Sequence, residues 1–343
     1  MERMRIGIVG LNFGRHIVES EIVAGAGAPF FELAAVCDMD AEKAKALGSK
    51  HRVTAYTALE ELLCDDSIRV IGLFTGPVGR ANLIRQIIRA GRDVMTTKPF
   101  ELDPDAGQAV LEEAQSLGRV VHLNSPSPLF TGDLQQIDRW VRDFGLGRPI
   151  ACRADVWVSY REKADGNWYD DPDLCPAAPI FRLGIYPIND MMRFLGPADE
   201  VLLTQSRLFT GRPTADNAQL SVLFRSGAIG NVFASFCVKD GEFYKNSLVL
   251  NFENGTIYRN QGPMDAMSPG MCKLELVAGG PDGKVVEHAK VHGHSGEYQW
   301  GVFRRAVGGE RSPDEIKPAQ VVEGIRVIRA MTRAQHSRRA EKV

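Results

Sequence analysis

Short apolar runs alternate with amphipathic stretches through the first third of the chain. Arg5 to Val9, Phe31 to Cys37, Val70 to Phe74, Asp93 to Thr96 and Arg119 to Leu123 have the length and composition of buried strands. Helical patterns lie between them: Phe13, Ile17, Val18 and Ile22; the helix formers of Ala41 to Lys50; Asn82 to Ala90; and Asp103 to Leu117, where Asp103 before Pro104 marks a start. Strands that alternate with helices over short connections pair in parallel and are covered on both faces. The pattern predicts a doubly wound α/β domain over residues 1–123.

The pattern changes after residue 124. A helix, Leu134 to Phe144, precedes strand-like runs near 149–158, 199–208, 217–225, 228–236, 246–252 and 272–278. Gly-Arg-Pro, Arg-Ser-Gly-Ala and Glu-Asn-Gly-Thr separate several of them as turns. Helix Ile185–Leu195 interrupts the series. A last helix, Pro318 to Gln335, carries Val321, Val322, Ile325, Ile328 and Thr332 on one face. Strands in series predict an α+β domain over 124–343 with a large, mostly antiparallel, open sheet.

Charge and composition narrow the function classes. The 343 residues carry 41 Lys+Arg against 43 Asp+Glu, a net charge of −2, which argues against a nucleic-acid or membrane-surface partner. No apolar run reaches the roughly 18–20 residues of a membrane span, and the N-terminus lacks the form of a signal peptide, so a cytoplasmic protein is expected. None of the six cysteines pairs at two-to-four-residue spacing, which excludes a zinc knuckle and a redox CxxC. His288, His292 and His294 have no carboxylate or Cys at ligand spacing, and no metal is expected.

Ile6 to His16 is a strand, a glycine turn and a helix start, the context in which backbone N–H groups face a pyrophosphate. Gly10, Asn12, Phe13, Gly14 and Arg15 form the turn. It departs from G-x-G-x-x-G at Asn12 and Arg15, and Asn12 tolerates the positive φ that the second glycine supplies. Asp38 ends the second apolar run, where an acid accepts hydrogen bonds from the adenosine ribose and repels a 2′-phosphate, favouring NAD. It follows Gly10 by 28 positions rather than about 20, and Ala24 to Pro29 reads as the loop that absorbs the difference. Its alternative role is to cap the helix that opens at Asp40 and Ala41.

Four further segments carry a resemblance. Val70 to Pro77, with Thr75-Gly76-Pro77, resembles a strand ending in Thr-Pro-Asn. Ala90 to Pro99, with Thr97-Lys98-Pro99, is similar to "A-G-K-x-V-…-E-K-P". Phe181 to Asp190 resembles "D-x-G-x-H/Y-x-x-D", and Phe194-Leu195-Gly196 resembles its closing Leu-Gly. On these residues the chain resembles the glucose-fructose oxidoreductase / inositol dehydrogenase (Gfo/Idh/MocA) family over nearly its whole length. The resemblance implies a Rossmann domain, an NAD cofactor and a small sugar-like substrate. It also implies a homodimer or homotetramer formed through the C-terminal sheet. Cofactor contacts from Thr75, Gly76, Pro77, Thr97, Lys98 and Asn124 follow from it as well. It makes Lys98 and Tyr186 the catalytic pair, expected in one cleft. Tyr186 would move the hydroxyl proton, and Lys98 would orient the oxygen and favour the phenolate. His122 is the reserve proton carrier.

The departures from the family pattern bear on the substrate. Thr97 stands for Glu, Arg80 for a His, Arg182 for Asp and Asn189 for a second Asp. Arg182 offers a planar fork suited to a carboxylate, which points to a sugar acid or hydroxy acid. Alternatively it turns outward to pair with Asp170, Asp171 or Asp173. Trp168 either stacks on a sugar face or anchors its loop. Arg182, Trp168 and Asn189 thus join Lys98 and Tyr186 as expected substrate contacts. The rival reading from another class is a cofactor-binding regulator without chemistry.

Overall fold

A computed structural model describes residues 2–241, 244–263, 270–280 and 283–343. The chain forms two compact units, Met1–Leu129 with Tyr298–Val322, and Phe130–Glu297 with Glu323–Val343.

The first unit is built on a six-stranded parallel sheet of β1 (Met4–Val9), β2 (Phe31–Cys37), β3 (Thr54–Tyr56), β4 (Val70–Leu73), β5 (Asp93–Thr96) and β6 (Val121–Leu123). Their order is 3-2-1-4-5-6, the Rossmann arrangement. Helices α1 (Leu11–Ile17), α2 (Ala41–His51), α3 (Leu59–Leu63), α4 (Arg80–Arg89) and α5 (Pro104–Ser116) make the crossovers. Local chemistry sets their starts. Asp40 accepts from Lys43 N at 3.1 Å, and Asp103 accepts from Asp105 N at 3.0 Å with Pro104 in the first turn. Ala81, Ile84, Ile87 and Ile88 are buried along one face of α4, the stripe that apolar spacing predicts.

The single boundary expected after residue 123 does not match this division. Tyr298 to Val322 returns to the first unit because Trp300, Phe303, Ala306 and Val307, on α8 (Trp300–Val307), are buried in its core with Phe31, Ile22 and Val120. Phe31 packs against Trp300 and Phe303 with centroids 5.5 and 5.7 Å apart. Helices α3 and α8, strand β3 and, in the second unit, the strands Gly255–Arg259, Gly283–His292 and Glu341–Lys342 are additions to the elements expected from the pattern.

In the second unit, α6 (Gly132–Asp143), α7 (Ile185–Leu195) and α10 (Glu323–Ser337) pack on a nine-stranded sheet. Its strands are β7 (Pro149–Trp157), β8 (Ala198–Ser206), β9 (Asn217–Phe224), β10 (Ile229–Ser235), β11 (Lys245–Phe252), β12 (Gly255–Arg259), β13 (Met271–Gly280), β14 (Gly283–His292) and β15 (Glu341–Lys342). The order is 14-13-12-11-7-10-9-8-15, antiparallel throughout except for β7 beside β10. Alternate residues are buried: Ala218, Leu220, Val222 and Phe224 on β9, and Cys272, Leu274, Leu276 and Ala278 on β13. The opposite face is open and exposes Ile150, Leu223 and Ile229. The last helical pattern is interrupted at Val322: α9 (Pro318–Val321) belongs to the first unit and α10 to the second.

Candidate active site

Because the first sheet is parallel, every strand delivers its C-terminal residue to the same edge. In sheet order that edge carries Asp38, Gly10, Thr75, Lys98 and Asn124. Strands about 4.8 Å apart spread Asp38 and Lys98 over roughly 14 Å. Five expected cofactor residues, scattered over the first 124 positions, thus line up where doubly wound folds bind ligands.

Gly10 makes the turn. Its φ of 85° is left-handed, and a Cβ there would lie 2.7 Å from Thr75 N and 2.8 Å from the Phe74 carbonyl carbon. Positive φ is used at Gly10 and not at Asn12. Asn12 is already helical, and its side-chain oxygen accepts from Lys43 Nζ at 2.7 Å. Gly14 is buried in α1, Phe13 stands half-exposed edge-on to Phe74, and Arg15 pairs with Glu19.

Asp38 does not cap α2; Asp40 does. One Asp38 oxygen accepts from Leu11 N at 2.7 Å and the other from Asp40 N at 3.0 Å, so the acid is clamped to the glycine turn with lone pairs to spare. Asp38→Ala is expected to weaken NAD about ten- to a hundredfold, since hydrogen bonds to a charged group contribute roughly 1.5–3 kcal/mol. Titrations with NAD and NADP check it. Wild-type NADP binding as tight as NAD would refute the role.

Arg80, the departure from histidine, holds the neighbouring turns together. Buried at the start of α4, it donates to the carbonyl of Thr75, to that of Thr97 at 2.7 Å and to that of Pro99 at 3.0 Å. Asn124 Oδ1 accepts from Lys98 N at 3.1 Å and from Thr97 Oγ1 at 3.3 Å. The Thr97-Lys98-Pro99 turn is therefore gripped from the head of α4 and the end of β6, with the Lys98 side chain half-buried. Buried Glu101 accepts from Ala81 N at 2.8 Å and fixes the head of α4. Arg80 and Glu101 were missed as site residues because their partners are backbone groups of distant segments.

His122 is not available as a proton carrier. It is 4% exposed, packs on Phe303 at 5.5 Å between centroids and stands 3.8 Å from Glu315. Burial pushes its imidazole below the usual histidine range, and Glu315 opposes this only in part.

In the second unit Tyr186 occupies the first turn of α7, half-buried. Its ring lies against Gly296, where a Cβ would come within 2.6 Å of Cε1. Below it sits a buried charge cluster that the sequence did not disclose. Arg259 Nη1 donates to Asp133 Oδ2 and Asp190 Oδ2, each at 2.8 Å, and Nη2 donates to Asn246 Oδ1 at 3.1 Å. Ser295 Oγ donates to Asp190 Oδ1 at 2.9 Å. Burial raises the Asp190 carboxyl, and Arg259 pulls it back.

The other expected substrate residues are engaged within the unit. Arg182 pairs with Glu162 at 2.7 and 3.2 Å, not with Asp170, Asp171 or Asp173. Its guanidinium carbon stands 4.2 Å from the ring centre of Tyr169 and 4.9 Å from those of Tyr160 and Phe236. Asp170 pairs instead with Arg212 at 2.7 Å. Trp168 packs against Tyr169 and Phe181, as a loop anchor would. Asn189 is buried, its Oδ1 2.1 Å from where a Gly324 Cβ would stand, so its amide faces α10. Among the described residues no group of His, Cys, Asp and Glu could hold a metal ion, and no helix is long and apolar enough to cross a membrane.

A glycine turn closing β1, an acid closing β2 and a row of strand ends define a dinucleotide-binding α/β protein with a second, sheet-based unit. Comparison with known proteins gives the family. The oxidoreductase family with an NAD-binding Rossmann fold matches residues 4–125, and the GFO/IDH/MocA C-terminal domain matches residues 134–258. The chain belongs to the GFO/IDH/MocA oxidoreductase family and binds NAD. It is 26% identical over 163 residues to the uncharacterized oxidoreductase C26H5.09c of Schizosaccharomyces pombe, covering 46% of this chain and 42% of that protein. It is 25% identical over 244 residues to D-xylose 1-dehydrogenase (NADP(+)) 2 of Haloferax volcanii, covering 71% of this chain and 72% of that one. The fold is similar to that of the oxidoreductase domain protein from Kribbella flavida, with a TM-score of 0.78 at 18% identity and all of both chains covered.

Proposed function

We propose that the protein is an NAD-dependent dehydrogenase or reductase acting on a carbinol carbon of a sugar or cyclitol. The observation that carries this reading is the row of Asp38, Gly10, Thr75, Lys98 and Asn124 along one carboxyl edge. These residues fit NAD: Gly10 admits the backbone approach of a pyrophosphate, and Asp38 keeps lone pairs for a ribose. NAD, when bound, supplies the hydride acceptor. The chain's own residues supply the rest. Tyr186 takes the hydroxyl proton at its phenol oxygen, and Lys98 donates a hydrogen bond to the carbinol oxygen and favours the phenolate.

A neutral substrate fits better than an acid. Arg182, the one residue chosen for a carboxylate, is neutralised bidentately by Glu162 inside an aromatic cage. Releasing it would leave Glu162 without its ion pair. The test is a panel of polyols, aldoses and sugar acids read as NADH absorbance. Turnover is expected on a neutral sugar or cyclitol, and Arg182→Ala is expected to alter KM equally for neutral and acidic compounds. A selective rise in KM for acids would restore Arg182 as a substrate contact. Tight NAD binding with no turnover across the panel would favour a silent regulator.

A further inference from the structure

The reading of Tyr186 as proton carrier leaves open what aims its phenol. Tyr186 and Asp190 lie four residues apart on α7, one turn along the same face. Asp190 is buried, and its two oxygens reach different segments: Oδ2 is held by Arg259 and Oδ1 by the hydroxyl of Ser295. The residue after Ser295 is Gly296, with φ +96°. A Cβ at Gly296 would stand 2.6 Å from Cε1, 3.0 Å from Cδ1 and 3.3 Å from Cζ of Tyr186. A contact under 3.0 Å requires one of the two groups to shift, so a side chain at position 296 would displace the Tyr186 ring from where it lies. One carboxylate therefore sets both parts of the arrangement. It lies on the helix that carries the phenol, and it ties down the strap on which the ring lies.

The same charge cluster also orders a second tyrosine, Tyr244. Arg259 reaches Asn246 at 3.1 Å, and Asn246 Nδ2 donates to the Tyr244 hydroxyl at 3.3 Å. Tyr244 titrates above the usual phenol range, chiefly from burial, with the neighbouring Tyr186 adding to it. It stays a neutral neighbour while Tyr186 changes charge.

We propose that the Ser295-Gly296 strap, anchored on Asp190, is the positioning element for the Tyr186 phenol. Gly296 acts by presenting bare backbone to the ring, and Ser295 by fixing that backbone to the helix. This inference rests on the proton-carrier reading for its kinetic consequence but not for its geometric one.

The experiment uses the full-length enzyme with NAD and the best substrate of the panel. Gly296→Ala and Ser295→Ala are made in the wild type and in Tyr186→Phe. Ser295→Ala retains the glycine and removes one hydroxyl, so it probes the strap even where Gly296→Ala fails to fold. A misplaced proton carrier is expected to cost about ten- to a hundredfold in kcat for Gly296→Ala, with a smaller loss for Ser295→Ala. The pH dependence of kcat should shift, and NAD affinity should hold. In Tyr186→Phe the same changes are expected to cost less than about twofold, because two residues acting through one group are not additive. NMR of tyrosine labelled at Cζ supplies the readout that does not need activity. The resonance missing from Tyr186→Phe is expected to move in both strap variants. An unmoved Tyr186 resonance, or equal kcat losses in both backgrounds, overturns the proposal. A moved resonance in a protein whose Tyr186→Phe variant is fully active upholds the strap and overturns the proton-carrier reading.

Discussion

Tyr186→Phe is expected to lower kcat by about 10²–10⁴ while the dissociation constant for NAD stays nearly unchanged. The substitution removes one oxygen and retains the ring that lies on Gly296, so packing in the second unit is preserved. The residues proposed to hold NAD, Gly10, Asp38 and the strand ends of the first unit, are unaltered by it. Lys98→Ala should also lose rate, since its ammonium is proposed to donate to the oxygen whose proton Tyr186 takes. If the two serve one oxygen, the double variant loses less than the product of the single losses. Steady-state kinetics beside NAD titrations decide the matter. Full activity of Tyr186→Phe would exclude it as proton carrier, and fully multiplicative losses would separate the two residues functionally.

The largest effect on stability is expected at Arg259. Both Asp133 Oδ2 and Asp190 Oδ2 lie 2.8 Å from the same guanidinium nitrogen, and the Arg259 side chain is 2% exposed. Arg259→Met retains most of the volume but leaves two buried carboxylates facing each other without the cation they share. Breaking a buried ion pair in this way costs about 3–5 kcal/mol. The direction with pH follows. Burial already raises the Asp190 carboxyl, and without Arg259 it rises further. A carboxyl raised in the folded state favours folding below its unfolded pKa and loses that contribution as pH rises through its folded value. The deficit of Arg259→Met should therefore shrink as pH falls toward the carboxylate range and grow toward neutrality. Chemical denaturation of wild type and variant at several pH values measures this. A deficit that does not change with pH would mean that the carboxylates find other partners.

Much of the molecule was legible in the chain because its cause is local. Helix Ile185–Leu195 and strand Asp93–Thr96 stand where periodicity placed them, and Asp103 with Pro104 starts its helix as the capping rule requires. Gly10 and Asp38 were legible for the same reason: a turn and a strand end have local signatures, and parallel topology brings them to one edge. Strand β14 was not legible, because its Lys284, Glu287, His288 and Lys290 show no buried alternation on the edge of the sheet. Helix α8 is amphipathic, but nothing local tells that it returns to the first unit to cover Phe31. What the tertiary structure alone decided is the pairing of charge. Arg182 could equally have met a substrate or the aspartates beside it, and it met Glu162 and three aromatic rings. Arg259 meets Asp133 and Asp190 from 126 and 69 positions away, and Arg80 meets carbonyls 17 and 19 positions away. Periodicity is a property of neighbours along the chain, whereas electrostatic attraction and hydrogen bonding act through space on whatever the fold brings near.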